Sequence, residues 1–288
     1  MKAATYTLEL LTPCFCAGAD QAKAEIRAPA IRGQLRWWFR ALGGSAADER
    51  TIFGGVAGTA SSSSLIIRVQ ALEPAPWSPP PFSPNDHESY VWYYASASGT
   101  TVKGAKRPRW SPTGALGSGT TFQLHILQHR SLDSILQTQL DVALKCFLQL
   151  GAIGLRATRG LGAFACQKDP FTPAILATLQ SKGFVCEYRV AALANTAAIA
   201  REIGGLVKGS RKKNQMKSDQ ASPFGSSTPR QTSAIYFRPV RANSQSKDCN
   251  LVVFEAPHSR VLGKESDRSR VVGHNPSRLL KPDPVGHR

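Results

Sequence analysis

The sequence predicts an α+β fold, and three observations carry that prediction. Tyr6, Leu8 and Leu10 alternate with Thr5, Thr7 and Glu9 across residues 3–11, the period of two that marks a half-buried strand. From residue 31 the period changes. At about 100° per residue, Ile31, Leu35, Trp38, Phe39 and Leu42 share one face of a helix. Residues 131–150 repeat the helical pattern with Ile135, Leu136, Leu140, Ala143, Leu144, Phe147 and Leu148 at core spacing. Strand-like runs lie between and after these helices, so sheets and helices are mixed along one chain.

In order along the chain, the first strand opens into residues 12–44, TPCFCAGADQAKAEIRAPAIRGQLRWWFRALGG. Pro29 suits a first helical turn, and Gly43-Gly44 tolerates the positive φ that ends a helix. Arg32, Arg36 and Arg40 recur at i, i+4 and i+8 and form a ridge beside the apolar face. Trp38 is expected in the core, with Trp37 on the far side as a surface aromatic. No Asp or Glu occurs from residue 28 to residue 47. Two readings of the ridge stand at this point. One is a solvated basic face; the other is an anion site, since guanidiniums without carboxylates match the forked geometry of phosphate.

A short apolar run at 52–56 and a Ser-rich turn lead to a strand at 65–72. Residues 73–86 hold six prolines in fourteen residues and read as an extended surface connector. YVWYYAS, 90–96, and TTFQLHILQH, 120–129, read as strands. Between them a Gly- and Pro-containing loop carries Lys103, Lys106, Arg107, Arg109 and Trp110, a basic insertion suited to a nucleic-acid backbone and equally common as a hairpin tip. Ser131 is placed to cap the second helix. GAIGLRATRGLGAF, 151–164, then sets Arg156 and Arg159 among four glycines, including Gly160 and Gly162. Such a turn offers backbone amides and guanidiniums to a phosphate, or serves as a tight α-to-β connection that needs glycine for clearance. Beyond it the pattern gives a helix at 172–182 and strands at 184–192, 234–240 and 250–255.

Charge bounds the partners. The 288 residues carry 36 Lys plus Arg against 19 Asp plus Glu, a formal +17, which favours nucleic acid first and an anionic membrane second. Of this excess, +10 falls after residue 200, much of it in GSRKKNQMKSDQ and in the last 26 residues, which read as mobile basic segments. No apolar run is long enough to span a bilayer and the N-terminus lacks a signal-peptide architecture, so a cytoplasmic location is expected. The cysteines, at 14, 16, 146, 166, 186 and 249, have neither zinc-ligand spacing nor nearby His partners. Cys14-x-Cys16 is too tight for a zinc knuckle. No metal, disulfide framework or cofactor is expected.

Two motifs carry a resemblance: TPxFxxGAD…IRxPxIRGxLRWWFRAL near the N-terminus and the later GLRATRGLGAF. Together they resemble the RAMP superfamily of CRISPR proteins, and within it the family of the first-numbered RAMP subunit of the type III-B Cmr effector complex. The close match covers residues 1–45 and about 145–168. The resemblance implies two ferredoxin-like (RRM-like) halves with antiparallel sheets, at 1–168 and 169–262, followed by the basic tail 263–288. It implies a non-catalytic subunit of an RNA-guided, RNA-targeting antiviral complex, near the 3′ region of the guide RNA. Its partners would be guide RNA, target RNA and other RAMP subunits of the complex. Carried over by residue, Gly18 and Asp20 lie in the first loop, Arg27 before the helix, and Arg32, Gly33, Arg36, Trp37 and Arg40 on it. Arg156, Arg159, Gly160 and Gly162 complete the RNA-binding set.

Two alternatives compete with that reading. A metal-independent endoribonuclease needs a general base within reach of a 2′-hydroxyl, and His125 and His129 share one side of a predicted strand. Both lie far in sequence from the two motif loops. RAMP backbone subunits cleave RNA with a loop aspartate, which makes Asp20, and less so Glu25, candidates, although Asp after Gly-Ala better suits a turn or a hydrogen bond to neighbouring amides. The second alternative is a free-standing basic RNA-binding protein with no CRISPR role.

Overall fold

A computed structural model describes residues 1–20, 23–56, 60–77, 86–92, 115–213, 223–227, 230–243 and 245–262. The elements in chain order are β1 (Lys2–Leu10), α1 (Ala28–Ala41), α2 (Ala46–Phe53), β2 (Leu65–Glu73), β3 (Pro76–Trp77), α3 (His87–Trp92), β4 (Ala115–Leu116), β5 (Thr121–Gln128), α4 (Ser134–Leu150) and β6 (Phe164–Cys166). Then follow α5 (Ala174–Ser181), β7 (Val185–Leu193), α6 (Thr196–Lys213), β8 (Ser226–Ser227), β9 (Arg230–Gln231), β10 (Ile235–Arg241), β11 (Cys249–Glu255) and α7 (His258–Val261). The fold is mixed α+β with antiparallel sheets, as expected.

The first sheet has the order β2-β5-β1-β6, every neighbour antiparallel. Register follows the alternation seen in the sequence: Leu8 lies opposite Phe122 and Tyr6 opposite Leu124. Leu8, Leu10, Phe122, Leu124 and Ile126 therefore point into one core with α1 and α4. Asp133 rather than Ser131 caps α4, its carboxylate accepting from the Leu136 amide at 2.9 Å. Ile135, expected in the core, is 72% exposed, since at about 100° per residue it falls off the stripe shared by Leu136, Leu140, Ala143 and Phe147.

The second sheet has the order β10-β11-β7; β10 and β11 are buried on both faces, while β7 at the edge is partly exposed. Tyr236, Val240, Val252 and Phe254 join the first core, while Phe237, Leu251 and Val253 join a second core with Ile199, Ile203 and Val207 of α6. Strands apolar on both sides result, and the sheet serves as the layer between two cores.

Several expectations changed. Residues 90–92, read as strand, end the helix α3, and 93–96 lie outside the described residues. Val91 and Trp92 are buried in the second core, where packing overrides the strand preference of aromatic and β-branched residues. The proline-rich connector contains β3, a two-residue pairing with β4. Helices α2 and α6 were not foreseen, and residues 209–213, read as mobile, complete α6. In α6 the pair Gly204-Gly205 weakens the helical signal. A Cβ at Gly204 would fall 1.9 Å from the His87 carbonyl oxygen, so glycine is what lets α3 lie against α6. The basic loop residues Lys103, Lys106, Arg107, Arg109 and Trp110, residues 214–222, and the tail 263–288 lie outside the described residues. Among the described residues no helix is long and apolar enough to cross a membrane.

Candidate nucleic-acid interface

Helix α1 buries Ile31, Leu35, Trp38 and Phe39, which leaves Arg32, Arg36 and Arg40 along its flank. Facing them is α2, started by Ser45, whose hydroxyl accepts from the Asp48 amide at 3.1 Å, and ended at Gly54 with φ 75°. Between the two helices and the turn that follows runs an open groove of about 610 Å³. Its wall includes Arg32, Arg36, Arg40 and Arg50 against the single carboxylate of Glu49, together with Gly55, Ser61 and Ser63. Four guanidiniums less one carboxylate leave a net of +3.

The arginine ridge does have an internal partner, contrary to the sequence expectation. Glu49 accepts from Arg36 Nε at 2.5 Å and from Arg40 Nη1 at 2.7 Å. The sequence window without acids closed at residue 47, and α2 folds back to bring Glu49, the second acidic residue after it, onto the ridge. Burial pushes the Glu49 carboxyl up, but the hydrogen bonds and charges of Arg40 and Arg36 outweigh it and hold the group below its ordinary value. Both arginines remain about half exposed, so Glu49 fixes one edge of each guanidinium fork while the groove keeps the other. Arg32 Nη2 donates to the Leu65 carbonyl at 3.4 Å. Glu49 and Arg50 escaped sequence reading; the signal for them was the Ser45-Ala-Ala-Asp48 capping pattern followed by Ile52 and Phe53.

The remaining candidates are placed elsewhere. Arg27 is the N-cap residue of α1, 3.4 Å from Glu25 across an exposed ion pair. Trp37, expected on the surface, is half-buried and stacks edge-on with Trp38 at 5.0 Å and on Tyr236 at 4.7 Å. It is a contact between α1 and the second sheet, because β10 reaches the flank of α1 that the isolated helix leaves open.

The glycine-rich turn is also committed inward. Arg159, expected as an open guanidinium, is 3% exposed, donating to Phe224 O at 2.5 Å, Ser233 Oγ at 3.2 Å and Ile235 O at 3.5 Å. Arg156, at φ 61°, donates to Tyr90 O at 2.6 Å and Val91 O at 3.0 Å and stacks over the Tyr90 ring at 5.0 Å. It thereby satisfies carbonyls at the C-terminal end of α3. Gly162 N donates to Pro13 O at 2.9 Å, Leu155 N to Phe15 O at 2.8 Å, and Thr12 Oγ1 to Gly160 O at 2.6 Å. Gly160 and Gly162 have φ of 78° and 65°. A Cβ on Gly162 would lie 1.8 Å from the Ile153 carbonyl oxygen, so glycine serves backbone clearance there. No residue of 151–163 lines the arginine groove; the two motifs meet through residues 12–15 instead.

Arg238 was not foreseen. Fully buried on β10, it donates to Leu150 O at 2.7 Å, to Phe237 O at 2.9 Å and to Ala157 O. It pins the end of α4 and the glycine-rich turn to the second sheet, and burial lowers its pKa to about 10. Of the groups weighed for catalysis, Asp20 pairs with Lys23 at 3.8 Å, and His125 Nδ1 meets Thr5 Oγ1 at 3.0 Å. His129 Nε2 meets Ser63 O at 2.8 Å, at the groove's rim.

With this geometry in place, the chain can be set beside known proteins. The model of the RAMP superfamily matches residues 7–165, more than half of the sequence, and the chain belongs to that superfamily. Within it, one stretch of 44 residues is 46% identical to the CRISPR system Cmr subunit Cmr1-2 of Pyrococcus furiosus, covering 15% of this chain and 24% of that relative. The crystal structure of Cmr1 from Pyrococcus furiosus, apo form, overlays on 93% of both chains with a TM-score of 0.56 at 16% identity, a likeness of fold. A chain of a type IV-B CRISPR complex overlays on 57% of this chain and 89% of its own at 16% identity, with a TM-score of 0.38, too low to carry an argument.

Proposed function

We propose that this chain is a non-catalytic RNA-binding and assembly subunit of a type III-B CRISPR effector complex of the Cmr kind, acting in the cytoplasm near the 3′ region of the guide RNA. The reading draws its class from superfamily membership and the Cmr subunit likeness. The observation that carries the RNA contact is the α1–α2 groove, with four arginines against one glutamate. Phosphates of guide or target RNA dock on Arg32, Arg36, Arg40 and Arg50, while base pairing between the two RNAs reads sequence. Partners are those RNAs and neighbouring RAMP subunits. We read each half as ferredoxin-like: β2-β5-β1-β6 with α1 and α4 follows the β-α-β-β-α-β order, and β7-α6-β10-β11 follows its first four elements. The non-catalytic reading is supported by the position of His125, which meets Thr5 and does not line the groove.

Expression with a guide RNA and the other RAMP subunits tests the class directly, since the chain should co-purify with both. The groove is tested by salt. Three net charges engaging a single strand contribute a slope of about −2.1, or roughly twentyfold weakening between 50 and 200 mM salt. An Arg32→Ala, Arg50→Ala double variant should flatten that slope by about 1.4; an unchanged slope would remove the groove from the interface. Incubation of the purified chain with repeat-containing RNA in EDTA tests the enzyme alternative. Specific cuts lost on His129→Ala or His125→Ala would overturn the non-catalytic reading.

A further inference from the structure

The Cys-x-Cys pair in the loop between β1 and α1 has no part in the groove. Cys14 is fully buried and Cys16 is partly exposed, yet their sulfurs lie 3.1 Å apart, with the Cys14 thiol donating to Cys16. The backbone around them is held on several sides. Cys14 N donates to Leu116 O at 2.7 Å and Leu116 N to Cys14 O at 3.1 Å. Glu25 N donates to Cys16 O at 2.9 Å and Leu155 N to Phe15 O at 2.8 Å. The sulfurs need to close by about 1 Å to reach a disulfide bond length of about 2.05 Å.

We propose that Cys14 and Cys16 form an oxidisable thiol pair, in which Cys16 meets a hydroperoxide and Cys14 closes the disulfide. Accessibility assigns the roles. The Cys16 thiolate attacks the peroxide O–O bond, becoming a sulfenic acid and releasing water from hydrogen peroxide. The Cys14 sulfur then attacks the Cys16 sulfur and displaces hydroxide, which takes the Cys14 proton and leaves as a second water. Two thiols lose two electrons and two protons; one hydrogen peroxide takes them up. The hydrogen bond to Cys16 and burial hold the Cys14 thiol well above its ordinary range, which leaves Cys16 as the sulfur that meets the peroxide first. A ring closed over a single intervening residue is strained, which makes the disulfide easily reduced and the modification reversible. In forming it, Cys14 also gives up its 3.5 Å contact with the Ile153 carbonyl, a link between the first loop and the glycine-rich turn.

The test uses the full chain, oxidised with hydrogen peroxide, quenched, alkylated with N-ethylmaleimide in denaturant and digested with trypsin. Residues 3–23 form one peptide that carries both cysteines. It should have lost two hydrogens, carry no maleimide and regain both thiols with dithiothreitol, while Cys146, Cys166 and Cys249 are alkylated. In Cys14→Ser, Cys16 should be trapped by dimedone as the sulfenic acid. A peptide 3–23 alkylated at both cysteines, or Cys16 found as sulfinic acid without the disulfide in wild type, would overturn the proposal. The wild-type map decides even where the variant fails to fold.

Discussion

Tyr90 shows how a single side chain reports the wiring of the glycine-rich turn. Burial pushes its phenol up, but the charges of Arg159 and Arg156 and the hydrogen bond from Arg159 outweigh that and bring it down to about 8. The sign follows from proton counting. Below pH 8 the phenol is protonated in folded and unfolded chains and contributes nothing. Between about 8 and 10 the folded chain releases the proton first, so stability rises with pH there, by at most about 3 kcal/mol. Buried thiols oppose this above pH 9, since burial raises Cys146 and Cys186 to about 12. The difference between wild type and Tyr90→Phe in urea denaturation across pH 7–10 isolates the phenol. Wild type should gain relative to the variant as pH rises; a flat difference would mean that the guanidiniums do not stabilise the phenolate. A ridge without acids over twenty residues reads as unpaired, yet its partner stood at position 49, and only the fold of α2 joined them.

Among the elements, α1 was legible and the 151–163 turn was legible only in part. The 3.6-residue period of Ile31, Leu35, Trp38 and Phe39 identified both the helix and its buried face, because that period is a property of local geometry. Glycine and arginine in the turn have two physical uses, phosphate binding and clearance with carbonyl pinning, and local sequence does not separate them. Packing does: the Gly162 amide and the Arg159 guanidinium already bond Pro13, Phe224 and Ser233. Gly162→Ala, forced to φ 65° against the Ile153 carbonyl, should therefore cost more than about 2 kcal/mol. The RNA salt slope of the folded fraction should be unchanged. A flattened slope with no loss in thermal midpoint would put RNA on this turn after all.

Across the whole molecule, a layer of aromatic rings joins α1 to the second sheet. Trp38 of α1 lies 5.5 Å from Phe254 and 6.3 Å from Phe184, and Trp37 covers Tyr236. Arg241 of β10 pairs with Glu9 of β1, and Arg260 reaches the α1 carbonyl of Ala41 at 3.0 Å. One core takes residues from both sheets, so the packing is continuous across residue 168. Trp38→Ala should cost about 3–5 kcal/mol and lower one shared unfolding transition, followed by circular dichroism and by tryptophan fluorescence. Two separate transitions in wild type would contradict the shared core.

Periodicity, short motifs and summed charge along the chain already specify the α+β class, the faces of β1 and α1, the superfamily and the basic character. Tertiary structure alone decided which arginines face the groove. Arg32, Arg36 and Arg40 line it, joined by Arg50, whereas Arg156 and Arg159 bond backbone carbonyls within the molecule. The physical reason is that a guanidinium is equally suited to a phosphate and to a buried carbonyl. Which one it meets depends on the segments that fold against it, here α2 with residue 49 just beyond the helix that carries the ridge, and β10 with residue 235 far along the chain from Arg159.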